Sequence, residues 1–153
     1  MRKTKEEPMS CLYTIGFAGK DAKTFFSLLH LHGIKSLIDV RLNNVSQLAG
    51  YTKKNDLEFF LDKICDIKYL HLPILAPTKD ILDNYKKKKI SWLEYEKEYI
   101  ELINSRTIEK SLKNIDFDRA CLLCSEPTAD NCHRRLAAIK LKSTFEIDQI
   151  IHI

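Results

Sequence analysis

Short apolar segments alternate with amphipathic ones along most of the chain. Four short apolar segments predict strands, at residues 11–15, 34–40, 69–72 and 120–124. Between them, apolar residues recur at spacings of three and four, which is the period of a helix with one buried face. Residues 145–153 predict a last strand. Because parallel strands need long crossover connections, this order predicts a mostly parallel sheet with helices on both faces.

Capping residues mark where the predicted helices begin. Asp21 is placed to cap a helix that Gly33 ends. Asn55 and Ser91 each precede a glutamate by three residues, which is the spacing of a capping box. A further helix is predicted to begin near Asn131. These signals place one helix after each of the first four strands.

Composition agrees with one folded domain. The 153 residues are 44% hydrophobic, which is enough apolar material for a core and excludes whole-chain disorder, collagen and coiled coil. With no linker in sight, residues 11–153 predict a single three-layer α/β domain, Rossmann-like in the broad sense, after a flexible segment at residues 1–10. Apolar stretches fall short of the ~20 residues of a membrane span, and the first ten residues lack an apolar signal core. We therefore expect a cytoplasmic protein without membrane contact.

Charge and cysteine content narrow the chemistry only slightly. The net charge of +4 permits an anionic partner without requiring one, and the run Lys86 to Lys89 favours a solvated helix end or loop over a phosphate-binding patch. Five cysteines without a secretion signal favour reduced thiols. No glycine-rich phosphate loop is present, so nucleoside triphosphate hydrolysis and NAD chemistry are disfavoured and no cofactor is expected. The oligomeric state stays open.

Polar and turn-forming residues collect where the predicted strands end. In an open α/β sheet, ligands bind outside the carboxyl ends of the strands, so these residues should meet at one edge. The residues concerned are Gly16, Asp39, Arg41, His71, Cys124 and Glu126.

The start of the helix after the fourth strand is a candidate anion site. Free backbone N–H groups and the helix dipole favour negative charge there, and Arg134 and Arg135 add bidentate donors suited to phosphate or carboxylate. His133 lies beside the two arginines, which should keep it neutral, either as an acceptor or base or as a helix cap.

Six short motifs stand at the predicted strand ends, at the start of the last helix and at the end of the sequence. They are Thr14-Ile15-Gly16, Asp39-Val40-Arg41, His71-Leu72-Pro73, Cys124-Ser125-Glu126, Cys132-His133-Arg134-Arg135 and Ile151-His152-Ile153. Together they resemble the bacterial and archaeal domain-of-unknown-function family 488. The resemblance covers about residues 11–153, and the block from Cys124 to Arg135 is its most specific part. Because the activity of that family is not established, the resemblance implies the fold and the site rather than a reaction.

Cys121, Cys124, Cys132 and His133 are four potential ligands of a zinc site. Cys121 and Cys124 should face opposite sides of a strand, and adjacent Cys132 and His133 should diverge if both are helical. We therefore expect no bound metal.

The remaining candidates each have a structural alternative. Cys124 is either a nucleophile or a small core residue, and Glu126 either acts as a general acid or base or pairs with an arginine. Asp39 and Arg41 share a face of one strand and should form an ion pair. His71 is either a substrate contact or a hydrogen-bonded core residue.

These residues favour an enzyme acting on a phosphorylated, nucleotide-like or nucleic-acid-derived substrate, with hydrolysis as the candidate reaction. The basic residues Arg41, Arg134 and Arg135 would bind the anionic group, and Glu126 with Cys124 or His133 would perform the chemistry. Two alternatives stay open: a non-catalytic module that binds nucleotide or nucleic acid, and a sulfur-handling enzyme built on Cys124.

Overall fold

A computed structural model of the chain describes residues 7–45 and 49–153. Its centre is a five-stranded parallel sheet with the strand order β3-β2-β4-β1-β5, so the prediction of a mostly parallel sheet is confirmed. As predicted, the fully buried β4 is the central strand. The strands are β1 (Cys11–Gly16), β2 (Ser36–Asp39), β3 (Lys68–His71), β4 (Ala120–Cys124) and β5 (Gln149–His152).

Helices cover both faces of this sheet and enclose two separate apolar cores, which gives the three layers that the sequence predicts. The core under α1 and α2 includes Phe25, Leu29 and Leu57. The opposite core lies under α4, α5 and α6 and includes Tyr99 and Leu136. The helices are α1 (Ala22–Leu31), α2 (Lys54–Phe60), α3 (Lys79–Lys86), α4 (Trp92–Ser105), α5 (Ile108–Ser111) and α6 (His133–Phe145).

Two of the predicted helix starts are confirmed and one is wrong. Asp21 accepts a hydrogen bond from the amide of Thr24, and Ser91 forms the full capping box of α4. The prediction that Asn55 caps α2 is wrong, because the chain enters that helix from a 3₁₀ turn and is already helical at Lys54.

The last predicted strand begins too early in the sequence. Residue Phe145 still belongs to α6, which ends when Glu146 adopts a left-handed conformation with φ of 53°. The strand itself is only Gln149–His152. Of the segment predicted to be flexible, residues 1–6 lie outside the described residues, and Ser10 is hydrogen-bonded to the Asp148 carboxylate.

The connections after β2 and β4 create a crevice between these two neighbouring strands. The helix that follows β2 packs on one face of the sheet, and the helix that follows β4 packs on the other. Such a switch of direction leaves space at the carboxyl ends of the two strands, where ligands of α/β proteins bind. No helix within the described ranges is long and apolar enough to cross a membrane.

Candidate functional site

The loop after β4 lies directly against the end of β1. Amides of Phe17 and Ala18 donate to the carbonyls of Cys124 and Ser125 at 3.2 and 2.9 Å. A Cβ atom on Gly16 would overlap the backbone carbonyl of Glu126. Glycine is therefore required at residue 16 because two backbones approach each other there.

Three potential metal ligands meet in this loop. Cys124 ends β4, Cys132 is the N-cap residue of α6, and His133 begins that helix. Their ligand atoms all lie within 4.8 Å of one another. The expectation that Cys132 and His133 diverge is wrong, because Cys132 is extended, with φ of −135° and ψ of 136°, rather than helical. As predicted, Cys121 lies on the opposite face of the sheet.

The ring of His133 connects the ends of β2 and β4. Its Nε2 atom lies 2.9 Å from the carbonyl oxygen of Val40, and its Nδ1 atom lies 3.7 Å from Sγ of Cys124. A carbonyl oxygen only accepts, so Nε2 carries the proton. With the proton of a neutral ring on Nε2, the lone pair of Nδ1 faces the Cys124 sulfur.

The surroundings of Cys124 favour its thiolate. A hydrogen bond from the Cys132 thiol lowers the pKa of Cys124 most, and the amides of Ser125 and Glu126 and the charge of Arg134 lower it further, against the opposing effect of burial. The hydrogen bond to Cys124, together with burial, raises the pKa of Cys132. The two neighbouring thiols are thus unequal, and Cys124 is the one that ionises first.

The Arg134 guanidinium lies inside the protein, only 1% exposed. Its Nε donates to Oγ1 of Thr14 at 3.3 Å, and its Nη1 donates to the carbonyl of Glu126 at 2.6 Å. Oγ1 of Thr14 is in turn 2.6 Å from Nδ1 of His152. This arginine therefore links β1 to the loop after β4, and Thr14 extends the contact to β5. The charge of Arg134 lies near Cys124 at the end of β4.

Asp39 and Arg41 form the predicted ion pair, which is confirmed in bidentate geometry. Nε and Nη2 of Arg41 each lie 2.8 Å from a carboxylate oxygen of Asp39. The same carboxylate accepts from Tyr69 at 2.6 Å, and Nη2 of Arg41 also donates to the carbonyl of Thr52 at 2.7 Å. Both charges are buried, so the pair fixes the guanidinium at the end of β2.

The other predicted site residues lie nearby with different surroundings. Nε2 of His71 lies 2.9 Å from the carbonyl of Arg41 and supports that loop. Arg135 pairs with Glu96 on α4 at 3.5 Å. The side chain of Glu126 is exposed. Of its two alternatives, pairing with an arginine is not seen within the described residues, because Arg134 contacts the backbone carbonyl of Glu126 instead.

A cavity of about 310 Å³ opens in the crevice between β2 and β4. The predicted site residues Arg41, Cys124, Glu126 and His133 all contribute to its wall. Gly16, Asp39, His71, Arg134 and Arg135 do not line it. The structure thus brings four of the nine predicted residues to one cavity and leaves the other five around it.

The opposite wall of the cavity is aromatic, and sequence reasoning missed it. Tyr85 from α3 and Trp92 and Tyr95 from α4 line the cavity, with the Trp92 and Tyr95 rings stacked at 5.1 Å. The helical spacing of Trp92 and Tyr95 predicts core packing, and all three rings do contact the core beneath α4. Only the position of α3 and α4 over the crevice, which comes from tertiary packing, makes these rings a cavity wall.

A second cavity of about 430 Å³ adjoins the first. Both are lined by Arg41, Asn43, Lys86 and Ser125, and the second also by Lys20. Lys86 is the exposed last residue of α3, and the rest of the lysine run is an exposed turn, as predicted. Positive charge therefore lies on one side of the aromatic cavity.

Comparisons of this chain with curated proteins and with solved structures gave no match. A family model matches residues 21–141, a range that includes α1, the cavity, and α6 as far as Leu141. That range is most of the chain, so the protein belongs to the family described as domain of unknown function DUF488.

Proposed function

We propose that this protein is a cysteine-dependent enzyme that acts on an anionic, nucleotide-like substrate, with Cys124 as the nucleophile. The observation that carries the proposal is the position of Cys124 at the wall of a cavity, beside groups that favour its thiolate. A catalytic cysteine needs such an environment, whereas a buried structural cysteine does not. Cys121, three residues earlier in β4 and on the opposite face of the sheet, shows the contrast, because burial raises the pKa of its thiol.

The proton of Cys124 has an acceptor in His133. Nδ1 of that ring lies 3.7 Å from the sulfur and carries a lone pair when the ring proton is on Nε2, which faces the carbonyl of Val40. Transfer of the proton gives a thiolate and an imidazolium, which is the activation used by cysteine nucleophiles in general. Arg134 and the loop amides stabilise the negative sulfur before it reacts.

The reaction then proceeds by two displacements. The Cys124 thiolate gives an electron pair to an electrophilic carbon or phosphorus of the substrate, and the bond to the leaving group breaks as that group takes the proton from His133. In the second step water attacks the same centre, its proton passes to Nδ1 of His133, and the sulfur leaves as thiolate. The sum is hydrolysis of one substrate bond.

The walls of the cavity suggest the substrate class. The half-buried aromatic side chains of Tyr85 and Trp92 suit a flat ring such as a nucleobase, whereas Tyr95 is buried behind them. Lys86 and Lys20, on the adjoining cavity, suit a phosphate or carboxylate attached to that ring. A phosphorylated nucleoside offers both features in one molecule.

The proposal is tested with a panel of nucleoside phosphates and nucleotide sugars. Binding is measured by thermal shift, and turnover by chromatography of the products, for the wild type, Cys124→Ala and the control Cys65→Ala. Cys65 is a partly buried cysteine outside the cavity. We expect at least one compound to bind all three proteins and to be converted only by the wild type and Cys65→Ala. Binding without conversion by any of the three would indicate the non-catalytic module instead, and conversion by Cys124→Ala would remove Cys124 from the reaction.

A further inference from the structure

The cluster of Cys124, Cys132 and His133 has a chemistry beyond nucleophilic attack. Two thiols and one imidazole are buried together. Among the described residues, this is the one group of three or more His, Cys, Asp or Glu side chains whose ligand atoms are close enough together to hold a metal ion. Thiolate and imidazole are the ligands that zinc prefers in proteins. We propose that these three side chains bind one Zn²⁺ ion.

The distances agree with tetrahedral coordination. Zinc lies about 2.3 Å from thiolate sulfur and about 2.0–2.1 Å from imidazole nitrogen, which places the two ligand atoms about 3.6 Å apart. The observed separation of Cys124 Sγ and His133 Nδ1 is 3.7 Å. All three ligand atoms lie within 4.8 Å of one another, so shifts of side-chain torsions are enough to bring them around one ion.

His133 already has the outer contact that a zinc ligand needs. Metal-binding histidines usually donate their second ring N–H to a carbonyl or carboxylate, which fixes the tautomer and the ring orientation. Nε2 of His133 donates to the carbonyl of Val40 at 2.9 Å, which leaves Nδ1 free to bind a metal. The backbone at the end of β2 thus orients this ligand in advance.

Three protein ligands leave one of the four coordination positions of a tetrahedral zinc ion open. That number is typical of zinc sites with an open position, whereas structural zinc sites have four protein ligands. Cys124, Cys132 and His133 all line the aromatic cavity, so the fourth position faces space that water or a small ligand can enter. Two thiolates also neutralise the ion, and no further carboxylate is needed.

This inference uses the same sulfur as the proposed function but does not depend on it. Zinc binding is a property of the protein without substrate, and it needs Cys132 as a ligand. Nucleophilic reactivity is a property of Cys124 in metal-free protein. A zinc titration and an alkylation of chelator-treated protein therefore give separate answers.

The test is a titration of chelator-treated protein with Zn²⁺ in competition with a chromophoric chelator, and with Co²⁺ followed by absorption spectroscopy. The variants are Cys132→Ser and His133→Gln, with Cys65→Ser as the matched control outside the cluster. We expect one ion per chain for the wild type and Cys65→Ser, with the thiolate-to-cobalt band of a tetrahedral site. Loss of even an outer-shell partner weakens metal sites about 10–100-fold, so each ligand variant should weaken zinc binding at least about tenfold.

Circular dichroism of each variant shows that a loss of affinity is not a loss of fold. Zinc should also protect Cys124 from alkylation in the wild type but not in Cys132→Ser. The proposal is overturned if the wild type binds no zinc, or if folded Cys132→Ser and His133→Gln bind it as tightly as Cys65→Ser does.

Discussion

Nε2 of His133, in the first turn of α6, lies 2.9 Å from the carbonyl oxygen of Val40, one residue past the end of β2. That bond holds the ring in the crevice between β2 and β4 and turns Nδ1 toward Cys124. A proton acceptor and a metal ligand need the same lone pair on the same nitrogen. Both of our proposals therefore start from this contact between a side chain and the backbone of a neighbouring strand.

Gly16→Ala should strongly destabilise the protein. A Cβ at this position would overlap the carbonyl of Glu126 and contact Nη1 of Arg134, so the loop that carries Cys124 must move. Overpacking of this kind costs about 1–3 kcal/mol or more, and we expect at least about 2 kcal/mol of lost unfolding free energy in urea. Gly50→Ala is the control, because nothing lies within 4 Å of a Cβ there. Equal stability of the two variants would mean that the close approach at Gly16 is not present.

Removing Asp39 alone should be worse than removing Asp39 and Arg41 together. Asp39→Ala leaves a buried guanidinium without its carboxylate, and the loss of one partner of a buried pair costs about 3–5 kcal/mol. Asp39→Ala with Arg41→Met removes both charges and should recover part of that loss. Urea unfolding of both single variants and of the double variant gives the coupling energy. The exposed pair of Asp62 and Lys63 is the control and should show no coupling, and additivity at Asp39 and Arg41 would contradict the prediction.

The stability of the protein should fall as the pH drops below about 6.5 in a way that depends on His152. Burial, and then the charges of Arg134 and Arg135, lower the pKa of His152 in the folded protein. The unfolded chain therefore takes up a proton at a pH where the folded chain does not, so this contribution is present above about pH 6.5 and is lost as pH falls toward the folded pKa.

The measurement is the melting temperature of wild type and His152→Gln at about pH 7.5 and about pH 5.5. The decrease should be smaller in His152→Gln than in the wild type. His30→Gln, which replaces an exposed histidine on α1, should behave as the wild type does. If His152→Gln loses as much stability at low pH as His30→Gln, the titration of His152 does not contribute.

Cys132→Ala should raise the pKa of Cys124, whereas Cys132→Ser should leave it low. The thiol of Cys132 donates the hydrogen bond that contributes most to the lowered pKa, and a serine hydroxyl donates in the same place. The readout is the alkylation rate of Cys124 against pH in the presence of a chelator. Identical profiles for the alanine and serine variants would show that the hydrogen bond has no such effect.

The sheet and most of its helices could be predicted because their signals are local. The apolar segment of residues 120–124 and the capping residues Asp21 and Ser91 each act within a few positions of themselves. The sequence does not reveal the end of α6, because the left-handed residue that ends this helix is Glu146 rather than glycine or asparagine. In open α/β sheets ligands bind at the carboxyl ends of the strands, which predicts that Arg41 and Cys124 lie at one edge of the sheet. Both residues do line the cavity.

The details of the site depend on geometry that the sequence does not display. Cys132 and His133 both reach Cys124 because residue 132 is extended while residue 133 is helical. If α6 began one residue earlier, both residues would be helical and their side chains would diverge. Arg134 donates to the hydroxyl of Thr14 in β1 and to the backbone carbonyl of Glu126. The sequence shows Thr14 as a polar residue but does not show that it meets Arg134, and a backbone carbonyl has no sequence signal at all. Tertiary contacts of this kind decide which candidate side chains face the cavity.

The central claim is that Cys124 is a thiolate nucleophile, and the most direct test is its alkylation rate against pH in chelator-treated wild-type protein. Small haloacetamides are used as the reagent, and peptide mass spectrometry follows Cys124 and Cys65 in the same sample. Burial raises the pKa of Cys65, while its neighbours lower that of Cys124. We predict that Cys124 reacts with an inflection below the ordinary thiol value of about 8.5 and below that of Cys65. An inflection for Cys124 at or above that of Cys65 would contradict the claim.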